Sequence, residues 1–394
     1  MAEKALNPQP LIDWLDAGAP SARTPQQVLT QLSRRLLDLG LDLYRVAVFV
    51  RTLHPNVLGR GFIWVRGREE IEVIEAPLAF QESPLYLQSP IRLVFQQHTE
   101  IRRAIGPGNL EFPVLEDLRA EGATDFIAFP LFFTNGEVHA ASFVSRRPGG
   151  FAESEMVALR RIIPSFTRVA EIYALRRLAR NILDAYLGHQ AGEKVLEGHI
   201  RRGDGADLNA VIWFCDLRDS TPLADSMSRV DFLRLLNEFF EAVLGPVLER
   251  GGEVLRFIGD AALAIFPVGA DPAEACGRAL QAAREAMERM QKLNQLREGA
   301  ALRFGIGLHI GEVLYGNVGT PTRIEFTVIG AAANEAARIE ALCKTLEAPL
   351  LISERVARYL PERLRSLGCH RLRGVGEPLE LFTCETLAQT AKKN

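Results

Sequence analysis

Residues 209–222, NAVIWFCDLRDSTP, and residues 251–266, GGEVLRFIGDAALAIF, decide the reading of the second half of the chain. Ala210, Val211, Ile212, Trp213 and Phe214 make a near-continuous apolar run, the pattern of a buried strand. The run stops at Asp216, and Thr221-Pro222 reads as a helix N-cap followed by proline at the first helical position. Asp216 is therefore expected between a strand end and a helix N-terminus, where outward-pointing backbone N–H groups can hold an anion with its metal. In the second stretch, residues 253–257 and 261–266 read as strands joined by Ile258-Gly259-Asp260, a hairpin with Asp260 at its tip. A hairpin-tip aspartate on its own is ordinary turn chemistry. Two carboxylates on adjacent strand ends can do more, because together they can bind divalent cations.

Outward from this pair, the elements alternate. Residues 230–248 form an amphipathic helix through Phe232, Leu235, Leu236, Phe239, Phe240 and Val243, and residues 272–295 form another. Residues 303–310 alternate as a strand, 312–318 are expected to return antiparallel to it, and 334–345 read as a third helix. The order gives an α+β fold with a βαββαβ core of the split βαβ kind, which by itself assigns no activity. On the third helix Asn334 and Arg338 are spaced i, i+4 and so share one face.

With 394 residues the chain has room for two domains and a connector. A net charge of −3 gives no support for a nucleic-acid partner. The five cysteines are odd in number and lack CxxC-type spacing, so neither a disulfide framework nor a zinc site is suggested. Cys215, beside Asp216, reads as a small buried hydrophobe. No signal peptide opens the sequence and no apolar stretch approaches the ~18 residues of a membrane span, so the expectation is a cytoplasmic protein.

The first half is expected to begin with a loose lead-in, residues 1–23, rich in proline and alanine. Residues 24–151 then read as a compact α+β domain. It has a helix at 26–39, strands at 44–51 and 62–66 around the turn His54-Pro55-Asn56, helices at 89–97 and 113–121, and a hairpin of 125–133 with 138–145 around Asn135-Gly136. Its histidines, His54, His98 and His139, are scattered and read as surface or hydrogen-bonded residues. Residues 152–205 are long and helical, with a kink or break expected at Pro164. Beyond it Ile172, Leu175, Ala179, Ile182 and Tyr186 fall on an a/d seam, the pattern of a parallel connector between two copies of the chain. Gly203-Asp204-Gly205 marks a hinge before a second domain at 206–386, and 387–394 form a tail.

Four ordered motifs carry a resemblance: FCDLRDST (214–221), VLRFIGDAALAIF (254–266), GIGLHIGEVLYGNVG (305–319) and FTVIGAAANEAAR (326–338). Together they resemble the catalytic domain of class III nucleotidyl cyclases, over roughly residues 206–385, and four motifs in order are far more specific than one. In outline the first half resembles the GAF-type sensor domains placed before signalling enzymes, with an unknown small ligand or protein as its input. The cyclase resemblance implies a ferredoxin-like catalytic core that works as a homodimer. Asp216 and Asp260, with the backbone carbonyl of Leu217, would bind two Mg²⁺ or Mn²⁺ ions per site. Asn334 would position the ribose, and Arg338 would stabilise charge on the α-phosphate.

Arg256 and Thr327 occupy the base-reading positions. Adenylate cyclases usually carry lysine at the first and aspartate or threonine at the second. A cation donating to adenine N1 and a hydroxyl accepting from N6 favour ATP over GTP. Arginine for lysine is a departure, since the two are not interchangeable. In the segment LRGVGEP, 372–378, Val375 stands where the family has a phosphate-binding lysine, leaving Arg373 or Arg371 for that role. His309 reads as packing. The expected activity is an adenylate cyclase regulated by its N-terminal domain. The alternatives are a catalytically weak or silent nucleotide-binding signalling module, or a guanylate cyclase. A diguanylate cyclase would need a Gly-Gly-Asp/Glu-Glu-Phe hairpin in place of Phe257-Ile258-Gly259-Asp260.

Overall fold

The computed structural model describes residues 6–52 and 57–384. His54, the turn around it, residues 385–386 and the expected tail lie outside these. The chain divides into two compact units, Met1–Ile182 and Leu183–Asn394.

In the first unit, β1 (Arg45–Arg51), β2 (Val57–Val65), β3 (Glu72–Pro77), β4 (Ile101–Ala104), β5 (Asp125–Phe132) and β6 (Val138–Ser145) form one antiparallel sheet in the order β3-β2-β1-β6-β5-β4. Gly136, at φ +86°, turns the β5–β6 hairpin. Sequence reading passed over β3 and β4; the first is an exposed edge strand and the second has four residues, so neither shows an apolar period. The helix Pro25–Leu39 starts at Thr24, whose hydroxyl accepts from the Gln27 N–H at 3.2 Å, and ends at Gly40 in the left-handed region.

Two expectations for this half are corrected. The lead-in is not loose from Gln9 on: Gln9–Asp16 is a helix, and its Leu11 and Leu15 are buried in the same core as Leu32 and Leu36. Nor is the long helix broken at Pro164, because Glu153–Leu187 runs through it. Burial explains the continuity, since Leu159, Ile162, Ile163 and Phe166 on either side are locked into the core. Further along, the seam residues Ile172, Leu175, Ile182 and Tyr186 are all exposed.

The second unit is built on β7 (Gly205–Leu217), β8 (Glu253–Ile258), β9 (Ala261–Pro267), β10 (Phe304–Thr320), β11 (Arg323–Ile329), β12 (Leu350–Ser353), β13 (Leu364–His370) and β14 (Leu379–Cys384). The sheet order is β13-β14-β12-β10-β7-β9-β8, with β11 paired to β10. Helix Arg229–Glu249 links β7 to β8 and helix Pro272–Leu296 links β9 to β10, completing the βαββαβ core. The central strand β7 is buried on both faces, which is why its sequence is apolar without alternation. Val211, Trp213 and Cys215 pack toward Phe239, Val243 and Ala279 of the two crossover helices. Ala210 and Ile212 face the other way, with Ala191, Ala332 and Ala336.

The expected return at Gly311-Glu312 does not occur. β10 is a single strand of 17 residues, and its antiparallel partner is β11, reached after Thr320. Gly311 is not a turn residue: a side-chain Cβ there would stand 2.8 Å from the Cβ of Ala332 on the helix Ala331–Thr345. Gly305 and Gly307 lie on the same face of the strand and meet the same helix, with the Ala336 carbonyl oxygen 2.6 Å from where a Gly307 Cβ would sit. The alternating glycines mark close helix–strand packing. Among the described residues, no helix is long and apolar enough to cross a membrane.

Gly307→Val should force the helix off the strand and lower the stability of the second unit by about 1–3 kcal/mol or more, the cost of overpacking. Hydrogen-exchange protection of the β7 and β10 amides reads this directly. Unchanged protection would show that the glycine spacing is not needed for the packing.

Candidate functional site

Asp216 is the last residue but one of β7 and pairs across the sheet with Ala261 of β9 and Gly305 of β10. The next residue, Leu217, donates its N–H to the carbonyl oxygen of Asp260 at 3.3 Å, which ties the β8–β9 turn to the end of β7. Gly259, at φ +65°, makes that turn possible. The two aspartates selected from sequence are therefore neighbours. Burial, and then the adjacent Asp260 carboxylate, hold the Asp216 carboxyl above its usual range, while Arg218 pulls the other way. Two partly buried carboxylates held this close favour a cation between them.

The donor set fits magnesium or manganese: oxygen only, with no histidine or thiolate aimed at it. Among the described residues no cluster of three or more His, Cys, Asp or Glu side chains could hold a metal ion. Two carboxylates with substrate phosphates and water completing the shell is the usual way Mg²⁺ is held. Cys215 is buried and its thiol is pushed up to about 12, so it is an inert packing residue.

The helix expected at Thr221 begins earlier, as Ser220–Ser226, with Asp219 at its N-cap in the left-handed region and no side-chain cap. Asp216 thus lies between the end of β7 and the N-terminus of a seven-residue helix. Asp219 instead pairs with Arg303 at 2.6 Å.

Asn334 and Arg338 lie on the helix Ala331–Thr345 as expected, Asn334 exposed and Arg338 half-buried. The Arg338 guanidinium lies along the turn at Gly374, close enough that a Cβ there would stand 3.5 Å from Nη1. That turn holds the exposed Arg373, while Val375 packs into the apolar cluster of Leu372 and Leu379. Arg256 of β8 pairs through Nε with Glu325 of β11 at 3.0 Å. Two residues further along β11, Thr327 is buried and its Oγ1 has no partner. An orphaned buried hydroxyl is costly unless something outside the chain satisfies it. His309 is fully buried, and its Nε2 lies 2.9 Å from Glu335 Oε2. Desolvation pushes its pKa down to about 4, so the ring is neutral, and neither ring nitrogen makes a hydrogen bond.

One pair was missed in the sequence. Arg218, two residues after Asp216, reaches the helix Ala331–Thr345 and bonds Glu340 Oε1 at 2.8 Å and the Glu340 carbonyl oxygen at 3.2 Å. Both side chains are largely buried, 15% and 4% exposed. Burial raises Glu340 to about 7, and Asp216 and Asp260 push it the same way against Arg218. The available signal was the glycine at 305, which leaves room for both side chains to cross β10.

Removing one partner of such a pair strands the other. Glu340→Ala should cost the second unit about 3–5 kcal/mol, whereas Arg218→Met with Glu340→Leu should cost much less. Urea denaturation with hydrogen exchange on β7 compares the two. Equal losses in the single and double variants would mean that the pair is not a buried unit.

Residues 206–380 match the family model described as the adenylate and guanylate cyclase catalytic domain. An uncharacterized protein of Mycobacterium tuberculosis is 36% identical over 212 residues, 52% of this chain and 38% of its own length. An adenylate cyclase of Anabaena cylindrica is 34% identical over 169 residues, 41% of this chain and 33% of that protein. The chain thus spans well under half the length of these curated relatives. Among solved structures, a bacterial light-regulated adenylyl cyclase is 26% identical at a TM-score of 0.42, covering 48% of this chain and 96% of that one. Residues 206–380 belong to the adenylate and guanylate cyclase catalytic domain family, the class III nucleotide cyclases.

Proposed function

We propose that the chain is an adenylate cyclase that converts ATP to 3′,5′-cyclic AMP and pyrophosphate in a homodimer, under control of its N-terminal unit. The observation that carries this reading is the meeting of Asp216 and Asp260 at one end of the central strand β7, in a domain that also bears Asn334 and Arg338. Asp216, Asp260 and the Leu217 carbonyl would hold two Mg²⁺ or Mn²⁺ ions. Bound there, the ions would lower the pKa of the ribose 3′-hydroxyl and neutralise the triphosphate.

The chain's own groups do the rest. Asn334 orients the ribose so that its 3′-oxygen faces the α-phosphorus, and Arg338 donates to the oxygens on which charge builds as pyrophosphate leaves. Arg373 meets the outer phosphates. Arg256, held by Glu325 through Nε, keeps its terminal nitrogens as donors toward adenine N1. The unpartnered Thr327 hydroxyl accepts from the N6 amino group.

Helix geometry supports a site shared between two chains. At 3.6 residues per turn, Asn334 and Arg338 point about 120° and 160° away from Glu340 around their helix. Glu340 is the residue that faces Arg218 and feels Asp216 and Asp260. Asn334 and Arg338 therefore face away from their own chain's carboxylates. A two-fold dimer would bring them to a partner's pair. The exposed seam of Ile172, Leu175 and Ile182 is suited to pairing the connector helices of two copies, and the first unit is read as a GAF-like input domain.

Purified protein given ATP with Mn²⁺ should form cyclic AMP, in excess of the cyclic GMP formed from GTP, and Asp260→Ala should form neither. In the variant combining Arg256→Glu and Thr327→Cys, ATP use should drop relative to GTP by about tenfold or more, since each mismatched buried hydrogen bond costs about 1–3 kcal/mol. No cyclic AMP above the Asp260→Ala control would refute the activity. An unchanged ATP-to-GTP ratio in the double variant would refute the base assignment alone.

A further inference from the structure

The first unit contains a cavity of about 150 Å³ between the helix Pro25–Leu39, strands β1 and β2, the β5–β6 hairpin and the helix Glu153–Leu187. That is about the volume in which a protein holds a benzene ring. Its wall is mostly apolar, including Leu29, Val48, Phe62, Phe133, Phe166 and Ala170.

The polar groups decide what such a guest must carry. His139 lines the cavity and is 1% exposed. Its Nδ1 accepts the backbone N–H of Arg51 at 3.0 Å, so in the neutral ring the proton sits on Nε2. Nε2 has no hydrogen-bond partner, and among the described residues it is the one buried orphan side-chain atom on this wall. The nearest acid, Glu137, stands 3.6 Å from it, beyond bonding reach, and the same oxygen takes the Asn135 amide at 2.9 Å. The Phe133 ring packs on the imidazole with centroids 4.0 Å apart and fixes its plane. Burial pushes the His139 pKa down to about 4, so the ring stays a neutral donor around pH 7.

Another polar lining residue, Tyr173, is already engaged, donating to the Ala22 carbonyl at 2.8 Å. Arg51, Arg60, Arg177 and Glu137 are the lining residues with full charges, and of these Arg60 pairs with Glu75 on β3 and Arg177 is engaged as well. What His139 Nε2 lacks is an acceptor within bonding reach.

We propose that this cavity binds a small carboxylate with an aromatic or branched aliphatic body of about benzene size, its carboxylate accepting from His139 Nε2–H. A helix forming one wall, Glu153–Leu187, also carries the exposed seam from Ile172 onward, so the guest would rest against the element assigned to the connector. Binding is a property of the first unit and does not depend on the cyclase reading.

The test is calorimetric titration of the full chain with benzoate, with benzamide and toluene as neutral probes of similar shape. Benzoate should bind once per chain and at least about tenfold more tightly than toluene, the worth of a hydrogen bond to a charged group. His139→Leu should abolish the preference for benzoate, and His139→Gln, which keeps a donor, should retain part of it. Ala170→Leu should weaken all three probes by filling the space, with circular dichroism confirming that each variant is folded. Equal binding of benzoate and toluene would overturn the proposal, as would full benzoate affinity in folded His139→Leu. So would the absence of benzoate binding up to about 10 mM, where affinities weaker than roughly −3 kcal/mol lie. None of these readouts uses turnover, so failure here leaves the activity of the second unit a separate question.

Discussion

The second unit depends on one close approach: the helix Ala331–Thr345 lies directly on the backbone of β10, where Gly305, Gly307 and Gly311 leave no side chain between them. Through the gap at Gly305, Arg218 from the end of β7 reaches Glu340 on the helix. A buried pair of this kind contributes little net stability compared with well-packed apolar residues, but it punishes any arrangement that separates its members. It therefore fixes the end of β7, and with it Asp216, against the helix that carries Asn334 and Arg338. Those two residues point away from that contact. The same packing positions the carboxylates and leaves Asn334 and Arg338 on other sides of the helix, with Arg338 along the Gly374 turn.

The electrostatics follow the same logic. Burial and the neighbouring Asp260 carboxylate hold Asp216 above its usual range, and Glu340 lies close enough for both aspartates to push it up as well. Arg218 offsets part of this. Carboxylates this close favour a bound cation, which is the role proposed for the two aspartates. On the edge strand β8, Arg256 meets Glu325 of β11, and Thr327 keeps an unsatisfied hydroxyl. Unlike the acid cluster, that edge is short of a polar partner, not of a cation.

Much of this was legible in the sequence because its signals are local. The apolar run before Asp216, the Gly259-Asp260 turn and the i, i+4 spacing of Asn334 and Arg338 each need only a few adjacent residues. Failures came where local and distant causes look alike. Gly311 resembles a turn residue, yet it is glycine because Ala332 presses on it from a helix 20 positions later. Arg218 and Glu340 lie 122 positions apart, and nothing near either one announces the other. In the first half, proline and alanine in 1–23 suggest a loose segment, but Leu11 and Leu15 bury a helix there. Strands β3 and β4 were invisible because edge position and shortness erase the period on which strand reading depends.

The central claim is that the carboxylates of one chain work with the Asn/Arg pair of another. Mixing Asp260→Ala with Arg338→Ala under conditions of subunit exchange tests it most directly. Each variant alone should be nearly inactive. In the mixture about half the dimers would be heterodimers with one intact composite site, so roughly a quarter of wild-type cyclase activity should return. A mixture as inactive as its parents, with exchange shown by tag pull-down, would mean that Asp260 and Arg338 serve one site within one chain.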